Sequence, residues 1–131
     1  MKTLKQHIQG TWEVTHISGY VEEWNDNTQK HEIIPINRDV YPSEYEDWSV
    51  RFKFSSDKIS VYIFKENSWI EEGQTDYSVE DGKIIMIFRE DGRESRDEMR
   101  VLYINNNTLA IALPLKSDSS KARVLTTKRI E

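Results

Sequence analysis

From Trp48 onward this chain alternates apolar and polar residues with period two, and no interruption between the alternating runs exceeds six residues. Period two sends successive side chains to opposite faces of an extended backbone, so such runs read as half-buried β-strands. They are Trp48 to Ser55, Lys58 to Lys65, Trp69 to Val79, Lys83 to Glu90, Glu94 to Ile104, Thr108 to Leu115 and Ala122 to Ile130. Asp81-Gly82 and Asp91-Gly92 fit two-residue hairpin turns, since both residue types tolerate positive φ. Links this short force sequential antiparallel neighbours. A sandwich would need a long crossover that this stretch lacks.

Adding Thr11 to about Tyr20 brings the count to eight strands. A meander of that size removes its exposed edges by closing on itself. The expected fold class is all-β, an eight-stranded antiparallel up-and-down barrel with a short N-terminal helical turn over Thr3 to Ile8. Leu4 and Ile8, four apart, would face inward. Each strand reverses direction, so an even number returns the chain to its starting end. Trp12 and Arg129 then meet at one end, on neighbouring strands. The turns at 55–58, 81–82 and 105–107 share that end, and the connections at 25–47, 66–68, 91–92 and 116–121 lie at the other.

At 131 residues the chain is expected to be one domain, 1–131, large enough to bury about two-thirds of its unfolded surface. Its net charge of -5 argues against nucleic acid and against an anionic membrane surface. There is no Cys, hence no disulfide, thiol nucleophile or thiolate metal site. No apolar run approaches the roughly 18 residues of a membrane span. Met1 to Gln6 carries charge with no apolar stretch behind it and does not read as a signal peptide. The compartment is read as cytoplasmic, or as periplasm or cell envelope had an export leader been removed. The chain is expected to act as a monomer or weak dimer.

Gly10-Thr11-Trp12 at the start of strand one, with Arg129 in the last, resembles the lipocalin group of calycin-type β-barrels. Within that group it is most similar to small bacterial lipocalin-like proteins of unknown ligand. The resemblance implies that Gly10, Trp12 and Arg129 close the barrel, the Trp plugging one end and the Arg stacking on it. It also implies a cup that binds and transports a small molecule.

Candidate ligand contacts follow from strand parity. In strand one, parity puts Trp12, Val14, His16, Ser18 and Tyr20 on one face, apolar at the bottom and polar toward the mouth. Elsewhere Val50, Phe52, Phe54, Ile59, Val61, Ile63, Tyr77, Val79, Ile84, Met86, Phe88, Val101, Tyr103, Leu109, Ile111 and Leu113 are assigned inward. From this set His16, Ser18, Tyr20, Phe52, Ile63, Tyr77, Met86, Phe88 and Tyr103 form the expected ligand-binding face. A barrel of eight strands either fills its interior or holds one small ligand.

The long connection at 25–47 contains Asn25-Asp26-Asn27-Thr28, Pro35 and Pro42, which is turn chemistry. Gln29 to Ile36 is expected to form an extra strand pairing back on Tyr20 to Trp24. Long loops in compact domains are usually functional or disordered. This one carries His31, Tyr41, Tyr45 and Trp48 at or near the mouth, as a partly ordered lid.

Enzymatic chemistry is not expected. His7, His16 and His31 have no metal-ligand spacing, so neither a metal nor a cofactor is expected. Glu22-Glu23, Glu71-Glu72 and Asp97-Glu98 are adjacent in strands and point to opposite faces. No nucleophile elbow, P-loop or dinucleotide fingerprint occurs. The sequence therefore favours a non-enzymatic carrier of a small hydrophobic or amphipathic ligand in the open end of the barrel. The alternative is a protein-interaction module using the 25–48 loop region.

Overall fold

The structure, a computed structural model, describes residues 2–130. A short helix, α1 (Leu4–His7), leads into β1 (Gly10–Asn25), β2 (Lys30–Asp39), β3 (Val50–Phe54), β4 (Lys58–Lys65) and β5 (Ser68–Glu80). β6 (Lys83–Glu90), β7 (Arg93–Ile104), β8 (Thr108–Pro114) and β9 (Ala122–Arg129) follow. β1 and β3 to β9 form an antiparallel ring closed by pairing of β1 with β9, the eight-stranded barrel expected from the alternation.

β2 stands outside the ring. One edge of β1 pairs with β3 along Gly10 to Glu13 and with β2 along His16 to Asn25. β2 thus continues the wall above β3, turning Ile34 and Ile36 onto the core. The extra strand expected over Gln29 to Ile36, paired with Tyr20 to Trp24, is thus present and runs on to Asp39, so that most of the long connection is sheet. β1 runs on to Asn25, whose side-chain Oδ1 accepts from the amides of Asn27 and Thr28 and folds the turn. Only residues 40–49 between β2 and β3 lack strand.

Asp81-Gly82 and Asp91-Gly92 adopt positive φ at both positions, 50° and 76° in the first and 51° and 76° in the second. Such turns match the right-handed twist of the flanking strands. Glu66-Asn67, at 53° and 61°, makes the same turn without a glycine to announce it.

The closed end is plugged as the meeting of Trp12 and Arg129 requires. The two are register partners across β1 and β9, and the Arg129 Cζ lies 4.1 Å from the Trp12 ring centroid. Trp12 is fully buried, and its Nε1 donates to the Ile8 carbonyl at 2.8 Å. The Arg129 guanidinium donates to the carbonyls of His7, Gln9 and Asn106 at 2.7, 2.5 and 2.7 Å. One cation thus satisfies carbonyls that α1 and the β7–β8 turn leave open. Thr3 and Gln6 cap the other end of α1 reciprocally. Gly10 enters β1 at φ 119°, a conformation that favours glycine. Above this floor the core is filled by Ile17, Ile59, Ile84, Met99, Leu109, Ile111 and Leu125.

Three ladders shift register. The shifts lie between Val14 and His16 in β1, around Glu72 in β5 opposite Val61 and Tyr62, and between Val101 and Tyr103 in β7. A bulge adds one unpaired residue, so side chains beyond it exchange faces. In β1 the inward set changes from Trp12 and Val14 to Ile17 and Val21, all buried. The expected inward placement of His16, Ser18 and Tyr20 is corrected by that shift. Tyr103 is corrected in the same way: the bulge at Leu102 turns it outward, with Ile104 taking the interior place opposite Leu109.

Candidate functional site

The ring is complete at the closed end and parted at the other. β5 pairs with β6 only over Asp76 to Glu80, and β7 pairs with β8 only from Arg100 to Ile104. Beyond those limits the β6–β7 hairpin, Phe88 to Glu98, leans away from both neighbours and is held by its own ladder. The residues from Phe88 to Glu98 are all exposed. An ion network of Lys58, Asp76 and Arg89, continued through Glu94 to Arg96, fastens the hairpin to the outer wall. Lys58 first, and then Arg89, holds the Asp76 carboxyl below the usual carboxylate range.

A cleft flanks the hairpin on each side. The larger, of about 460 Å³, lies between β7 and the end of β8 and is walled by Met86, Leu113, Leu115, Asp97 and Arg123 among others. The smaller, of about 290 Å³, lies between β5 and β6 over Ile59, Val61, Gly73, Thr75, Met86 and Phe88. Met86 lines both, so one flexible side chain separates the two openings from beneath the hairpin.

Arg123 sits at the inner edge of the larger cleft. It is the register partner of Gly19 on β1 and of Leu113 on β8, two steps from the buried Leu125 on the same face of β9. Gly19 adopts φ 82°, and a Cβ there would come within 2.3 Å of the Ala122 carbonyl oxygen. A glycine at that place lets β9 approach and carry Arg123 into the mouth. The guanidinium Cζ lies 4.1 Å from the centroid of the Trp48 ring. Its Nε is buried with no hydrogen-bond partner. Burial lowers its pKa below the usual guanidinium range, opposed by the charge of Glu22. Glu22 is itself engaged: its Oε1 accepts from the Ser117 amide at 3.1 Å and from the Ser117 hydroxyl at 2.7 Å.

Trp48 owes its position to the irregular segment before β3. Arg38 on β2 donates two hydrogen bonds to Glu46, at 2.6 and 3.0 Å, and Glu46 Oε1 accepts from the Trp48 amide at 3.1 Å. Arg38 accordingly keeps the Glu46 carboxyl below its ordinary range. The ring is partly buried against the core, whereas Tyr41 and Tyr45 are exposed.

The expected ligand-binding residues separate into three groups. Met86 and Phe88 line the clefts, and Ile63 borders a groove beside residues 44–49. Phe52 and Tyr77 face inward but belong to the filled floor, where the Tyr77 hydroxyl donates to the Ser55 carbonyl at 2.5 Å and accepts from Gln9 Nε2 at 2.8 Å. His16, Ser18, Tyr20 and Tyr103 are on the outer face. His16 places Nδ1 2.8 Å from Asp39 Oδ1 and Nε2 2.6 Å from Asn37 Oδ1, and these contacts, Asp39 foremost, raise its pKa. Lys121 stands 5.1 Å from the Tyr20 ring centroid. Tyr103 accepts from Asn105 Nδ2 at 2.8 Å.

Arg123 was absent from that set, although a signal existed. Period two counted back from Arg129 passes Thr127 and Leu125 and reaches Arg123, so an inward Arg129 brings an inward Arg123 with it. No group of three or more His, Asp or Glu side chains among the described residues could hold a metal ion. No helix among them is long and apolar enough to cross a membrane.

Such a barrel, floored by a Trp–Arg pair and opened at the far end, is of the lipocalin-like kind. The fold is similar to that of a lipocalin-like protein from Bacteroides uniformis, with a TM-score of 0.55 at 11% identity over 95% of this chain and 99% of that one. It is also similar to an uncharacterized protein from Bacteroides eggerthii, with a TM-score of 0.53 at 9% identity over 92% and 98% of the two chains. At such identities the likeness is one of fold. No family model matches the chain, and no curated protein matches it.

Proposed function

We propose that this protein is a non-enzymatic binder of a small hydrophobic or amphipathic molecule held at the open end of the barrel. The observation that carries this reading is the 460 Å³ cleft with Met86, Leu113 and Leu115 in its wall. Its size falls within the range of small-molecule sites, and an apolar strip of Met86, Leu113, Pro114 and Leu115 is set among charged side chains, an arrangement that suits an amphipathic occupant. The ligand position differs from the one parity suggested. Met86 remains a contact, with Phe88 beside the smaller cleft; Leu113, Leu115 and Arg123 join Met86, Trp48 supports Arg123 from an adjoining groove, and Phe52 and Tyr77 support the floor beneath.

The test uses Nile red, a neutral lipophilic dye, titrated into the protein and into Met86→Glu. Saturable fluorescence enhancement, weakened by the buried charge of the variant, is the expected result. A flat titration, together with native mass spectra showing no added dye, would sink the reading. A second reading, docking of a protein partner on residues 40–48, draws support from Tyr41 and Tyr45, exposed at 71% and 91%. Trp48 contributes little to it, because its ring lies against the core beneath Arg123.

A further inference from the structure

We propose that the ligand carries an anionic group, a carboxylate in the simplest case, which pairs with Arg123 over the face of Trp48. This rests on the reading of the open end as a ligand site and specifies the chemistry of its occupant.

The argument begins with an electrostatic imbalance. Buried charges are normally matched by an opposite charge or a full set of hydrogen bonds, because desolvation is costly. Of the five other charged side chains around the same cleft, three have partners, and the two without, Asp97 and Lys116, are exposed to water. Glu98 lies 3.6 Å from Lys83, Arg96 lies 3.3 Å from Glu94, and Glu22 is held by Ser117. Asp97 and Lys116 stand on opposite, exposed lips. Arg123, the inward cation, makes no ion pair among the described residues, and its Nε has no acceptor.

The side chain is also held for planar recognition. The guanidinium Cζ lies 4.1 Å from the Trp48 ring centroid, a contact that restricts the group and favours recognition through its N–H edge. A carboxylate meets that edge with parallel hydrogen bonds, which a hydroxyl cannot do. Trp48 is itself held by Glu46 and Arg38, so the platform exists before the ligand arrives. Leu113 is the cross-strand neighbour of Arg123, and Met86 lies in the same cleft. An apolar tail would follow those side chains beneath the hairpin while its charged head remains at Arg123.

The experiment compares sodium decanoate with 1-decanol, which share a chain and differ in charge, by calorimetric titration of the whole protein. Wild type is expected to bind decanoate about ten- to a hundred-fold more tightly than decanol, the range for charge-assisted hydrogen bonds. In Arg123→Gln that ratio should fall to near one, and Arg123→Lys should keep an intermediate ratio. Thermal melts of both variants establish that the barrel is intact. Equal affinities of wild type for the two probes, or an unchanged ratio in Arg123→Gln, would overturn the anion while leaving the ligand site standing. Binding of neither probe would overturn the site itself.

Discussion

The two ends of this barrel are made of the same alternating strands, yet they are held by different interactions. At the closed end the ladders are continuous, Trp12 fills the axis, and Arg129 binds three backbone carbonyls. At the open end β5 parts from β6 and β7 parts from β8, leaving an exposed two-stranded hairpin with a cleft on either side. Two-stranded ribbons are marginally stable by themselves. Even the two inward arginines differ. Arg129 donates to a carbonyl from each of its three guanidinium nitrogens, whereas Arg123 has a buried Nε without an acceptor. The contrast teaches that one end is finished by the chain itself and the other presents groups that the chain does not complete.

The sharpest way to break that comparison is to delete an aromatic at each end. Trp12→Ala removes a fully buried ring and should cost about 3–5 kcal/mol in urea melts. Phe88→Ala, at the edge of the hairpin, should cost about 0.5 kcal/mol or less. Similar losses from the two substitutions would mean that the ends contribute alike to stability.

The next largest effect is expected from Arg129→Met, which keeps apolar volume over Trp12 but removes every hydrogen bond to the His7, Gln9 and Asn106 carbonyls. Stability should fall by about 2–3 kcal/mol, mostly through carbonyls left without donors. Protection of the α1 and Asn106 amides from hydrogen exchange should fall first. If the variant melts like wild type, the guanidinium is ornamental and the ring of Trp12 alone seals the floor.

The closed end was the more legible of the two in the sequence. Asp81-Gly82, the alternation of β3, β4 and β6, and the even strand count sufficed to bring Trp12 to Arg129. The open end was less so, because bulges reverse parity with little local signature. In β1 the trace is a three-residue step, from Val14 to Ile17, where strict alternation would give two. His16, a polar residue at that step, invited assignment to a polar upper lumen. In β7 the run Val101-Leu102-Tyr103-Ile104 is apolar throughout, so no choice of face stands out. Glu72-Gly73 hides the third shift among residues that are exposed whichever way they point. The parting of strands is still less visible, since it depends on where ladders end and not on which residues compose them. Arg123 could have been found by counting from Arg129. That Trp48 lies beneath it depends on the Arg38–Glu46 pair, which joins residues from two separate segments.

The smallest effect concerns the outer wall, where His16 links β1 to β2. Both ring nitrogens face oxygen acceptors on β2, an arrangement that suits the protonated ring. The folded protein therefore raises the His16 pKa above its ordinary value of 6.5. A raised folded pKa means that the linked stability is fully present below the unfolded pKa. It is lost as pH climbs through the folded pKa, a window that begins near 6.5 and extends upward. The carboxyls of Glu22, Glu46, Asp76 and Asp118 shift downward, so their contributions change only in acid, outside that window. Because the side chain is a third exposed, screening should hold the contribution to about a few tenths of a kcal/mol. Urea melts at pH 5.5 and 8.5 should show wild type losing that increment on the alkaline side relative to His16→Gln. Equal pH dependence in the two proteins would show that β2 is held to the barrel by its ladder and by Ile34 and Ile36 alone, independently of charge.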